Sequence, residues 1–137
     1  MSRILAIDYG QKRCGLAVSD PLKIIANGLT TVASHELFDF ISNYMKVESV
    51  DTIVIGLPKQ TTGAVSESMK YIQPFANRLK NSFPNMPIVW VDERYTSKMA
   101  FQTMIDGGLK KSDRRDKALI DQISATIILQ TYMEQIR

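Results

Sequence analysis

The segment from residue 117 to residue 129 has helical spacing and is the most apolar helical stretch of the chain, yet it carries a carboxylate, Asp121. On a helix, Asp121 shares a face with Ser124, Ala125 and Ile128. The small side chains predict that this helix approaches the rest of the domain closely. A charged Asp on such a face costs on the order of several kcal/mol unless a cation or hydrogen-bond donors meet it. We therefore expect Asp121 to help bind a cation; a buried structural hydrogen bond is the alternative.

The length and composition of the chain limit the kinds of protein it can be. A length of 137 residues, 45% of them hydrophobic, predicts a single domain, residues 1–137, with a substantial core. The net charge of +3 permits a nucleic-acid partner without requiring one. The single cysteine, Cys14, excludes an internal disulfide and a cysteine-based zinc site, and the single histidine, His35, stands at a predicted helix start. We expect no signal peptide and no membrane span, and a cytoplasmic location.

The order of apolar segments predicts the fold class. Two buried strands separated by a short polar turn, residues 3–9 and 14–19, predict a hairpin. The full predicted order is βββαβαβαα, with a helix expected at about 97–106. A hairpin followed by βα units is typical of an α/β domain with a mixed five-stranded sheet and helices on both faces.

Two further carboxylates fall where ligands gather in such a sheet. Asp8 and Glu93 lie at, or just past, the carboxyl ends of predicted strands. Together with Asp121 they form an oxygen-rich set that suits Mg²⁺ or Mn²⁺, and such ions support hydrolysis of phosphodiesters. Each acid also has a simpler interpretation, since Asp8 could shape a turn and Glu93 could form a surface ion pair. Asp92 is an alternative ligand, because strand alternation places it opposite Glu93.

Basic side chains accompany these acids along the sequence. They are Lys12, Arg13, Arg94, Lys110, Lys111, Arg114, Arg115 and Lys117. The group at 110–117 lies about one helical turn before Asp121, so it could hold a polyanionic backbone near the acids. A solvated charged loop and simple ion pairs with the acids are the alternatives.

Four segments, residues 6–20, 54–58, 91–96 and 116–130, together resemble the YqgF/RuvX family of Holliday junction resolvase-like proteins. The resemblance implies an RNase H-like fold, a cytoplasmic bacterial protein and a nuclease role in maturing the 5′ end of pre-16S rRNA. The family's acidic positions correspond to Asp8, Glu93 and Asp121. RuvC-type enzymes carry an acid at the end of the fourth strand, where this chain has Gly-Leu-Pro at 56–58.

Three other functions stay open from the sequence. A nucleotide-binding module of the actin and sugar-kinase type also begins with a strand that ends in Asp-x-Gly. A Holliday junction resolvase acting on branched DNA, which would favour a symmetric dimer, is the second. The third is a non-catalytic RNA-binding factor in ribosome assembly. The sequence leaves open whether the protein is a monomer or a homodimer.

Overall fold

The computed structural model describes residues 2–57, 69–92 and 117–136. The strands in these ranges are β1 (Arg3–Asp8), β2 (Arg13–Ser19), β3 (Ala26–Ala33), β4 (Val50–Leu57) and β5 (Ile88–Asp92). The helices are α1 (Leu37–Val47), α2 (Met69–Ser82) and α3 (Lys117–Gln135), with a 3-10 turn at Ser34–Glu36. None of the described helices is long and apolar enough to cross a membrane. The helix predicted at 97–106 lies outside the described residues.

The strands form one mixed sheet with the order β3-β2-β1-β4-β5. The β1–β2 and β2–β3 pairs are antiparallel, whereas β4 runs parallel to both β1 and β5. The predicted hairpin and the predicted α/β class with a mixed five-stranded sheet are therefore confirmed. Because β1, β4 and β5 are parallel, their carboxyl ends lie at one edge of the sheet, where ligands collect in folds of this kind.

Helices cover both faces of the sheet, as the sequence predicted, and each face has its own core. Alternation along β1 sends Leu5 and Ile7 to the face covered by α1 and α2, and Ile4 and Ala6 to the face covered by α3. We call these the α1/α2 face and the α3 face. The same alternation assigns Asp8 to the α3 face. The first candidate acid therefore faces the helix that carries Asp121.

Close contact between α3 and the sheet depends on a glycine in β2. A Cβ atom at Gly15 would overlap the backbone carbonyl of Asp121, so only a glycine allows the helix to lie this close. Ala125, one turn further along α3, is fully buried in the same interface. The close approach predicted from the small residues of this helix is therefore confirmed.

Candidate active site

Asp8 and Asp121 lie close to the same residue, Gly15 of β2. Asp8 ends β1 and pairs with Gly15 of β2, and the backbone of Asp121 lies against that same glycine. The two carboxylates, 113 positions apart in the sequence (121 − 8), thus belong to one small region of the α3 face. Their electrostatic effect on Cys14 agrees with this placement, because both carboxylates help to raise the pKa of its thiol.

Arg13 forms an ion pair with Asp121 and thus provides a positive charge next to this carboxylate. Its Nε donates to Oδ2 of Asp121 at 2.5 Å, and the two side chains are 38% and 22% exposed. Arg13 lies two residues before Gly15 in β2, so strand alternation puts it on the α3 face. Partly exposed ion pairs are screened by solvent and contribute little net stability. Another ligand can therefore displace either partner at small cost.

The turn between β1 and β2 forms a cleft in front of this ion pair. The cleft has a volume of about 370 Å³ and is lined by Gly10, Gln11, Lys12, Arg13 and Asp121. We call it the acidic–basic cleft. Lys12 is exposed, so the cleft presents two cations beside a carboxylate. It can therefore bind a group that combines negative charge with a bound cation, such as a phosphate with its metal ion.

Hydrogen bonds hold this turn in one conformation. Ser34 Oγ donates to the carbonyl oxygen of Gly10 at 2.6 Å, and the Ser34 backbone N–H donates to the carbonyl oxygen of Lys12 at 3.0 Å. A Cβ atom at Gly10 would overlap the carbonyl oxygen of Arg13, so the tight turn requires a glycine here. The cations of the cleft are thus carried by a fixed loop.

Cys14 lies buried behind the cleft on the α1/α2 face. Burial is the largest cause that raises the pKa of its thiol, and hydrogen bonds to Ser34 and to the Gly10 carbonyl act against it. The thiol therefore stays protonated at neutral pH and acts as a small packing residue, not as a nucleophile.

A complete metal-binding cluster is not found among residues 2–57, 69–92 and 117–136, where no three His, Cys, Asp or Glu side chains stand together. Asp8 and Asp121 nevertheless place two carboxylates on one face, and oxygen donors of this kind fit the chemistry of Mg²⁺ or Mn²⁺. In β5, Trp90 packs with the α1/α2 core and Val91 with the α3 core. Alternation then assigns Asp92 to the α1/α2 face, away from Asp8, which argues against Asp92 as the shared ligand.

Several residues predicted for the site lie outside the described part of the chain. They are Glu93, Arg94, Lys110, Lys111, Arg114 and Arg115. Lys117 is the first residue of α3, and only its backbone is described. Their roles stay predictions.

The sequence left open an ion pair between the basic residues and the acids, but it did not identify Asp121 as the partner of Arg13. A signal was present in the segment Arg13-Cys14-Gly15, since a glycine inside a strand marks close backbone approach and its i−2 neighbour shares the same face.

A mixed five-stranded sheet of this order, with helices on both faces, is an RNase H-like fold. Solved structures with this fold support the assignment. The chain superposes on Thermus thermophilus RuvC, in a structure with a Holliday junction substrate, with a TM-score of 0.61 and 16% identity, covering 99% of this chain and 96% of that one. A fowlpox virus Holliday junction resolvase gives a TM-score of 0.57 and 17% identity, covering 97% and 99%. At such identities the likeness shows the fold alone.

Sequence comparison identifies the family. Residues 2–135 match the model of the family described as "RuvX: Holliday junction resolvase", and the chain belongs to this family. A Bacteroides fragilis protein named "Putative pre-16S rRNA nuclease" is 64% identical over 134 residues, which cover 98% of this chain and 97% of the relative. A Bacteroides thetaiotaomicron protein of the same name is 61% identical, covering 100% and 99%. The predicted YqgF/RuvX membership is thereby confirmed.

Proposed function

We propose that the chain is a single RNase H-like nuclease domain that hydrolyses phosphodiester bonds during 5′-end processing of pre-16S rRNA in the cytoplasm. The observation that carries the proposal is the convergence of Asp8 and Asp121 on one face, beside a cleft that also holds Lys12 and Arg13. The names of the Bacteroides relatives support the choice of substrate.

A divalent metal ion completes the proposed site. Nucleases of the RuvC and RuvX type generally use divalent metals. We propose that Mg²⁺ or Mn²⁺ is held by Asp8, Glu93 and Asp121. When bound, such an ion lowers the pKa of water and offsets negative charge on the leaving oxygen.

The protein's own contribution is to hold its carboxylates in place before substrate arrives. Asp8 is fixed by the ladder of a central strand, and Asp121 by a helix that lies directly against Gly15. Carboxylates carried on rigid elements keep a metal site pre-organised, whereas carboxylates on loops do not. This arrangement avoids reorganisation of the ligands during the reaction.

The basic residues bind the nucleic-acid backbone in this proposal. Arg13 pairs with Asp121. Once a cation engages that carboxylate, the guanidinium can donate paired hydrogen bonds to a phosphate. Lys12, exposed on the same turn, adds a second phosphate contact. Arg94 and the basic residues from Lys110 to Lys117 extend the backbone path. Double-stranded RNA hides its sequence in a narrow groove, so selectivity would come from RNA shape and ribosomal context.

Cleavage assays on two substrates test the proposal. Wild type and Asp121→Asn are incubated with a 5′-extended 16S rRNA precursor and with a four-way DNA junction, each with Mg²⁺, Mn²⁺ or a chelator, and the product ends are mapped. We expect metal-dependent cleavage of the precursor by wild type, and Asp121→Asn should cleave it more slowly, on the order of 10²-fold or more. Equal cleavage by both proteins would contradict the assignment of Asp121, and cleavage in the chelator would contradict the metal requirement.

A Holliday junction resolvase is the second candidate, favoured by the description of the matching family. Preferred cleavage of the junction over the precursor would select it. A homodimer in sedimentation experiments would support it, because a symmetric junction is cut most simply by a symmetric pair of active sites. Binding of RNA without cleavage of either substrate would select the assembly factor instead. Membership in the RuvX family sets the actin-like nucleotide-binding module aside.

A further inference from the structure

A second cleft lies on the other side of the β1–β2 turn. It has a volume of about 260 Å³, and we call it the aromatic cleft. Its lining consists of Tyr9, Ser34, His35, Phe38, Tyr71, Pro74, Phe75 and Arg78. These residues come from the end of β1, the start of the α1 region and α2, all on the α1/α2 face. Of these residues only Ser34 has a part in the site described above, where it holds the β1–β2 turn.

The rings of the aromatic cleft divide into a buried floor and an exposed wall. Tyr9 and Phe75 pack with their ring centroids 5.2 Å apart, and Phe75 is only 8% exposed. Tyr71, by contrast, is 50% exposed. The guanidinium of Arg78 sits 3.8 Å from the centroid of the Phe38 ring, which holds this cation at the rim. The cleft therefore combines one open aromatic side chain with a positioned positive charge.

The aromatic cleft and the acidic–basic cleft share a border. Tyr9 follows Asp8 directly, so the end of β1 sends one side chain to each face of the sheet. Ser34 lines the aromatic cleft, while its hydroxyl holds Gly10 of the acidic–basic cleft at 2.6 Å. A nucleic-acid strand held at Lys12 and Arg13 thus needs only to cross this turn to reach the aromatic rings.

We infer that the aromatic cleft binds one unpaired nucleobase of a strand whose backbone lies in the acidic–basic cleft. Exposed aromatic rings next to a cation stack bases without regard to their identity. Clefts for drug-sized ligands occupy roughly 300–1,000 Å³, so a smaller space suits a single heterocycle. The positive charge of Arg78 favours the phosphate that accompanies the base. The inference rests on the proposed function and adds that the nucleotide neighbouring the active site is single-stranded and unstacked.

A stacking assay without catalysis tests the inference. Full-length Asp121→Asn protein in a chelator is titrated with a short single-stranded RNA that carries 2-aminopurine at successive positions, followed by fluorescence and anisotropy. We expect one position to be quenched on binding. Tyr71→Ala, added to the Asp121→Asn parent, removes the ring and should abolish that quenching and weaken binding by about 5- to 150-fold. Tyr71→Phe, which keeps the ring, should behave like the parent protein.

An abasic strand separates stacking from general damage. With the base removed at the quenched position, the parent and Tyr71→Ala should bind equally. The same strand made of DNA shows whether the protein recognises the base alone or also the ribose. Weaker binding of either strand by Tyr71→Ala supports base binding in the aromatic cleft. No RNA binding by the parent, no effect of Tyr71→Ala, or an equal loss on the abasic strand would overturn the inference.

The two proposals fail in different ways. Wild-type protein that cleaves its substrate, while Tyr71→Ala binds RNA unchanged, leaves the nuclease assignment intact and overturns the aromatic cleft. Position-specific quenching that depends on Tyr71, in a protein that cleaves neither precursor nor junction, retains the aromatic cleft in a non-catalytic RNA-binding protein.

Discussion

Two ion pairs at opposite ends of the sheet have nearly the same geometry but different surroundings. At the carboxyl end, Arg13 and Asp121 meet at 2.5 Å with side chains 38% and 22% exposed. At the amino end, Lys23 and Asp51 also meet at 2.5 Å, and both side chains are 37% exposed. The two distances are equal and both pairs are partly exposed, so a short ion pair alone does not define a functional site.

The neighbours of each pair make the difference. Asp121 borders a cleft with two cations, and a second carboxylate, Asp8, lies on the same face. Asp51 borders a cleft of about 470 Å³, and among the described residues that line it Asp51 alone carries a charge. Lys23 and Asp51 join the β2–β3 turn to the start of β4, which is a structural task. The comparison indicates that an ion pair does not by itself mark the candidate active site. Further charged side chains beside the pair, here Lys12 and Asp8, mark it.

The largest expected contrast is in catalysis. Asp121→Asn should lower the rate of metal-dependent cleavage on the order of 10²-fold or more, because loss of a metal ligand exceeds the 10- to 100-fold cost of losing a ligand's supporting partner. Asp51→Asn removes a carboxylate from an equally short ion pair and should leave the rate unchanged. Rates of end formation on the RNA precursor measure both. A similar loss in both variants would remove the distinction between the two ends of the sheet.

A second contrast compares two glycines that face α3. Gly15→Ala places a Cβ atom on the Asp121 backbone, so the helix must move, and we expect a loss of about 1–3 kcal/mol in the free energy of unfolding. Gly28→Ala brings a Cβ atom no closer than 3.4 Å to Gln122, which is an ordinary contact, and should cost less. Urea titration measures the two free energies. Equal costs would mean that the approach of α3 at Asp121 is not the tight point of the interface.

The third contrast concerns the competition between Arg13 and a metal ion for Asp121. Partly exposed ion pairs contribute about 0.2–1 kcal/mol, so Arg13→Ala should tighten Mn²⁺ binding by roughly 1.5- to 5-fold. The same variant should cleave RNA more slowly, because a phosphate contact is lost. Lys23→Ala is the matched control and should change neither quantity. Calorimetric titration measures the dissociation constant for Mn²⁺ in wild type and both variants. Weaker Mn²⁺ binding by Arg13→Ala would contradict competition between Arg13 and the metal ion.

The sequence predicted the framework of the site better than its contacts. The apolar runs and their turns were sufficient for the mixed sheet, because burial on two faces determines which segments become strands. The position of Asp8 followed from the end of the first run. The partner of Asp121 did not follow, since Arg13 is 108 residues away and meets it only after the register of β2 and the closeness of α3 are set.

The choice between Asp92 and Glu93 shows the same limit. Strand alternation predicts that Asp92 and Glu93 point to opposite faces of the sheet. The sequence alone does not show which of the two shares a face with Asp8. The packing of Trp90 and Val91 against different helices supplies that information for β5. The interpretation of Glu93 as the shared ligand remains a prediction, while Asp92, the competing residue, is assigned to the face away from Asp8.

The smallest contrast uses Cys14 as a reporter of the nearby carboxylates. Burial, followed by repulsion from Asp8 and Asp121, raises the pKa of this thiol above its ordinary value of 9.0. The pKa of this thiol is higher in the folded protein than in the unfolded chain. Its contribution to stability is therefore complete below the unfolded-state pKa and is lost as the pH rises through the folded-state pKa.

Asp121→Asn removes one repulsive charge and should shift the pH profile of thiol alkylation slightly downward, whereas Asp51→Asn should not. Alkylation rates between neutral pH and pH values above 9.0 measure the shift. An unchanged profile in Asp121→Asn would show that its carboxylate does not act on the thiol, and would weaken the case that Asp8 and Asp121 share one region of the protein.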